Sequence, residues 1–164
     1  MNAQLKKGLA VAAIHLALVG SLGAKLLVDR ATRPRVWART GPVDPDDPIR
    51  GRYVRLSVEG EIDAGPAGID APYVTLSANG QALVVTPTTE NTGLSARVTQ
   101  RDARRVAILD QPLAFFIPEH VPDPSRRGPG EELWVEVTLP KHGAPRPIRL
   151  AVKKEGVLTP LPLR

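Results

Sequence analysis

"GPVDPDDPIRGRYVRLSVEGEI" (residues 41–62) changes character half-way along. Its first half is an acidic loop broken by Pro42, Pro45 and Pro48, which hold the chain extended and forbid a helix. Gly51 then permits a turn, and from Tyr53 the side chains alternate with period two. Val54, Leu56, Val58 and Ile62 share one face, while Tyr53, Arg55, Ser57, Glu59 and Glu61 share the other. That pattern predicts a half-buried strand with a wet side.

The same period recurs downstream. "YVTLSANGQALVV" (73–85) reads as a hairpin with Val74, Leu76, Leu83 and Val85 inward and Asn79-Gly80 as the left-handed turn. "SARVTQ" and "RRVAILD" follow, then "LWVEVTL" with Leu133, Val135, Val137 and Leu139 on one side, then "PIRLAVKK" and "GVLTPL". About eight short strands are expected, arranged as a small antiparallel sandwich or barrel-like domain. The hairpin at 71–85 is echoed by "EELWVEVTLPKHGAPRPIRLAV" (131–152); either two similar β-halves or the common look of hairpins accounts for the echo.

Upstream, "GLAVAAIHLALVGSLGA" (8–24) carries no formal charge. Extended to Val28 it makes 21 residues, about 31 Å as a helix, which matches the hydrocarbon core of a bilayer. Lys25 can snorkel to the headgroups, and His15 can stay neutral, either tolerated in the span or in contact with a helix. Two readings compete: a cleaved signal peptide, with Lys6 and Lys7 as its basic start and Ser21-Leu22-Gly23 as a weak cleavage site, and the buried helix of a soluble domain, which apolar and small residues on all sides disfavour. The long uncharged run and Lys25 directly after it favour an uncleaved anchor. Three regions follow: an anchor at 1–30, a Pro/Arg-rich linker and loop at 31–50, and a β-rich domain at 51–164.

Charge supports that division. Seven basic residues and one acid, Asp29, precede Gly41, for +6; the remaining 15 basic and 16 acidic residues leave −1. A nucleic-acid reader would carry the excess on its folded domain, so none is expected as a partner. Basic residues beside an apolar run suit a membrane surface, and the bilayer is the expected partner of residues 8–28. Flanking charge alone leaves orientation open, because large domains translocate with little regard to it. The chain has no cysteine, which excludes disulfides and thiolate-bound metals.

No catalytic, cofactor or metal constellation emerges. "DPDDP" fails as a calcium loop, since Ile49 and Arg55 stand where a glycine and a glutamate are needed. Ser95 in "GLSAR" lacks the second glycine of a nucleophile elbow. His120 and His142 have no zinc-site spacing. A membrane signal peptidase needs a serine just after its anchor, and none lies between Asp29 and Ile49. Arg97, Arg101, Arg104 and Arg105 read as a solvated face. Glu119, at the mouth of a loop, is placed to cap backbone amides or to pair with Arg50 or Arg52.

"PVDPDDPIRGRYVRLSV" followed by "LAFFIPE" resembles the bacterial GDYXXLXY proteins, which have an N-terminal membrane helix, a proline-broken entry and these two motifs in this order. Gly51, Tyr53 and Leu56 match the first motif; Phe116, Pro118 and Glu119 match the second, with Phe115 and Ile117 as conservative equivalents. The motif's aspartate is Arg52 here and its last tyrosine is Val58, so any acid–phenol pairing of relatives is absent. The resemblance implies a single-pass protein of the bacterial inner membrane with a periplasmic C-terminal domain, no defined activity, and an integral membrane protein or complex as partner. The expectation is a non-enzymatic, membrane-anchored accessory protein without cofactor, with Gly51, Arg52, Tyr53, Leu56, Phe116, Pro118 and Glu119 as its contact residues. The alternative is an extracytoplasmic ligand-binding or hydrolytic domain that uses the Glu119 loop and nearby arginines.

Overall fold

A computed structural model describes residues 3–43, 53–64, 68–101, 103–118 and 120–162. The chain divides into two units, Met1–Arg33 and Pro34–Arg164.

The first unit is one helix, α1 (Ala3–Thr32), long and apolar enough to cross a membrane. Its uncharged polar side chains His15, Ser21 and Thr32 bond to carbonyls of the preceding turn. His15 Nδ1 lies 2.9 Å from the Val11 carbonyl, Ser21 Oγ donates to Leu18 and Thr32 Oγ1 donates to Val28. Asp29 and Arg33 form a pair at 3.2 Å one turn apart. Polar groups satisfied in this way leave the helix little unmet demand for water.

The second unit is mainly β, and its described residues form ten strands in one mixed sheet. They are β1 (Arg35–Pro42), β2 (Tyr53–Ile62), β3 (Tyr73–Asn79), β4 (Ala82–Thr88), β5 (Ala96–Arg101), β6 (Arg104–Leu109), β7 (Leu113–Phe116), β8 (Glu131–Thr138), β9 (Arg146–Lys154) and β10 (Val157–Pro160). Every strand expected from the sequence is present. Two were not foreseen, β7 and β1. The second corrects the expected linker at 31–50, because "RVWARTGP" is a strand with Val36, Ala38 and Thr40 buried. Its alternation was hidden by Pro34 and by arginines at two of its four outward positions, and only Arg33 and Pro34 separate it from α1.

Order along the main path is β10-β9-β8-β1-β4-β2-β6-β5, with β3 bonded to β4 and β7 to β2. β2 is the hub. Tyr53–Leu56 pair with β7, Leu56–Glu59 with β1, Glu59–Glu61 with β6, and Glu61 and Ile62 with β4. Most pairings are antiparallel as expected. The exceptions are short parallel contacts of β4 with β1 (Trp37 to Ala82) and with β2 (Glu61 to Val84, Ile62 to Val85). β1 and β2 splay apart beyond Arg39 and Glu59, and β4 wedges into the fork, so it can run alongside both.

Gly60 makes the wedge feasible. A Cβ at this position would lie 2.6 Å from Val85 Cγ2 and 3.1 Å from both Leu83 Cγ and the Leu83 carbonyl oxygen. Any larger residue would push β4 out of the fork. The buried face of the sheet encloses one core in which Val36, Leu56, Val58, Val85, Val135 and Leu150 are all fully buried. β7 approaches β9, so the sheet curls over that core.

The hairpin turn differs by one residue from expectation. Asn79 stays in β3 opposite Ala82, and the loop is Gly80-Gln81 with Gly80 at φ 60°. A glycine at the first loop position matches the right-handed twist of the strands. The echoing segments are both hairpins, β3–β4 and β8–β9, and they flank β1 on opposite sides.

Candidate functional site

Two places on the outward face of the sheet gather functional side chains. The first lies at the start of β2. Tyr53 and Phe116 are directly opposite each other on β2 and β7, with ring centroids 5.5 Å apart at 69°. Edge-to-face rings at this separation attract. Both are more than half exposed. The Val43 amide donates to the Arg55 carbonyl, which continues the β1 pairing one residue further along β2. Among the described residues of this unit, four large hydrophobic side chains are exposed, and three of them are Val43, Tyr53 and Phe116.

This arrangement joins the two motifs read separately in the sequence. Leu56, however, is fully buried in the core and contacts nothing outside it. Pro118 is half-buried, and its carbonyl accepts from the Val121 amide in a turn. Gly51, Arg52 and Glu119, with the acidic loop and Pro45 and Pro48, lie outside the described residues.

The second place was not legible as a site. A recess of about 460 Å³ is formed by β1, β2 and β4 at the fork together with β5, β6, β8 and β9. Trp37 and Trp134, the only tryptophans of the chain, both line it. Their rings already carry cations: the Arg149 guanidinium is 5.3 Å from the Trp37 centroid and Lys153 Nζ is 4.6 Å from that of Trp134. Such contacts keep the indoles upright on the sheet. Trp134 Nε1 donates to Glu132, which also pairs with Arg39 at 3.1 Å. Arg149 Nε donates to Glu136 at 2.6 Å.

Glu59 corrects the expectation of a wet face. It is 8% exposed, because Arg101 on β5 swings its guanidinium to 3.1 Å from the carboxylate and Arg39 is its neighbour on β1. Burying a carboxylate is tolerable only with such a partner. The four arginines at 97–105 are therefore not uniformly a solvated face. Arg101 holds Glu59, Arg97 reaches Asp110 at 3.8 Å, and Arg104 lines the recess. A sequence signal did exist in "VWAR" and "LWVE", where period two puts each tryptophan and its charged neighbour on the polar face.

His120 and His142 are both exposed, and no group of three or more metal-ligating side chains occurs among the described residues. Against protein-family models, curated proteins and solved structures, the chain has no match.

Proposed function

We propose that this chain is a non-enzymatic, membrane-anchored accessory protein whose β-domain docks on an integral membrane partner in the bacterial inner membrane. α1 is the lipid anchor, and the β-domain stands on the periplasmic side. The observation that carries the reading is the exposed edge-to-face pair of Tyr53 and Phe116 on β2 and β7, two of the four exposed large hydrophobic side chains among the described residues of this unit. Aromatic residues in a contiguous exposed patch are the usual anchors of a protein interface. The resemblance to GDYXXLXY proteins supports the same residues, since Tyr53 and Phe116 come from its two motifs.

The test has two stages. Carbonate washing of vesicles should leave the full chain in the pellet, and release of the chain would end the anchored reading. A photoreactive amino acid placed at Tyr53 or Phe116 should then crosslink to one discrete integral membrane protein. The same probe at Val157, exposed but on β10, should not. Equal crosslinking from all three positions, or none from any, would refute docking through this patch.

A further inference from the structure

The recess at the β1–β2 fork holds two opposite charges that have no ion-pair partner among the described residues. Seven ionisable side chains line it: Arg39, Glu59, Glu61, Arg101, Arg104, Glu132 and Lys153. Arg39 pairs with Glu132, Arg101 with Glu59, and Lys153 sits on Trp134. Glu61 and Arg104 take part in none of these contacts, and among the described residues no ion pair includes either of them. Glu61 is directly opposite Val106 on β6, and Arg104 is two residues from Val106 on the same face. The two side chains are therefore diagonal neighbours, about 7–8 Å apart at their bases.

We infer that this recess binds a small zwitterion, with an ammonium group held by Glu61 and a carboxylate or phosphate held by Arg104. Pairing is the chemistry a free carboxylate and a free guanidinium offer, the guanidinium in a two-pronged fashion. The separation suits the two ends of a dipeptide, which lie about 7 Å apart when extended. The recess has room for such a body, and the two indoles supply flat walls beside it. Arg39 and Arg101 are already paired with Glu132 and Glu59, so a ligand that carries both signs can meet Glu61 and Arg104 at once, whereas a singly charged one meets only one of them. The same chemistry is present in free peptide ends and in ethanolamine phosphate headgroups. The inference does not depend on the docking reading, which uses other residues.

Both tryptophans line the recess, so their emission and indole N–H chemical shifts report on its occupancy. The full chain in neutral detergent micelles is titrated with dialanine, N-acetyl-dialanine, dialanine amide and phosphoethanolamine. Dialanine should give a saturable change in the millimolar range, and blocking either end should weaken it by about tenfold. In Glu61→Gln the acetyl block should no longer matter, and in Arg104→Gln the amide block should no longer matter. Both residues are exposed, so the variants should keep the wild-type circular dichroism spectrum. Saturation by phosphoethanolamine alone assigns the headgroup as the natural source and keeps the zwitterion. No saturable change in either signal, or equal binding of blocked and free dialanine, overturns the proposal.

Discussion

Gly60→Ala is the sharpest test of how the sheet forks. The added methyl would sit 2.6 Å from Val85 Cγ2 and 3.1 Å from the Leu83 carbonyl oxygen, so it meets backbone as well as a side chain. Val85 is fully buried and Leu83 is 2% exposed, which leaves neither much room to turn away. Overpacking of this kind costs about 1–3 kcal/mol. Alanine recovers about 0.5–1 kcal/mol by restricting the unfolded chain, so a net loss of about 1–2 kcal/mol is expected. For a domain of this size that lowers Tm by about 4–8 °C. Val85→Ala alone should cost about 2 kcal/mol by opening a cavity. In the double variant the alanine methyl occupies part of the vacated space, so the two losses should fall short of additivity by about 1 kcal/mol. Thermal melts of the full chain in micelles, followed by near-ultraviolet circular dichroism, measure all three. A Gly60→Ala loss below about 0.5 kcal/mol, or additive losses, would mean that β4 does not press on β2 at this point.

Other expectations follow from single contacts. Arg101→Gln strands the Glu59 carboxylate; because Arg101 is itself 42% exposed, the loss should be about 1–2 kcal/mol rather than that of a fully buried pair, and Glu59→Gln in the same background should restore part of it in chemical denaturation. Ala103 has φ 63° in the β5–β6 turn, so Ala103→Gly should stabilise by up to about 1 kcal/mol, and a loss of stability would contradict that backbone geometry. The Gly128 amide, with Lys154 adding to it, holds the Glu131 carboxyl below its ordinary value of 4.5. A lowered folded-state value means that the contribution is complete above 4.5 and fades as pH falls through the depressed value. Glu131→Gln should therefore narrow the stability difference between pH 6 and pH 3, read as a smaller change in Tm over this range than in the parent chain.

Much of the architecture was readable because a strand with one buried face advertises itself. Leu133, Val135 and Val137 alternate cleanly and are all in the core. β1 obeyed the same rule but was concealed, since two of its three inward residues are Ala38 and Thr40, small or polar, between arginines and a tryptophan. The length of β7, four residues, is too short for periodicity to show. The parallel contacts of β4 could not be foreseen, because they depend on where β1 and β2 part company and that is decided by Gly60 and its neighbours in space. The pairing of Tyr53 with Phe116 was legible as two motifs but not as one patch. The recess escaped notice because its charges come from six strands scattered from Arg39 to Lys153.

The pairing of β1 with β8 bears on how the protein is made. Arg35–Thr40 bond to residues 133–138, so on the ribosome the earlier strand waits for a partner about 100 residues behind it, on the order of 5–20 s of synthesis. Any leading helix that enters lipid as it emerges does so before a closed sheet exists. Until β8 arrives, β1 offers an open edge to chaperones and proteases alike, and a chain stopped before Leu133 never covers it.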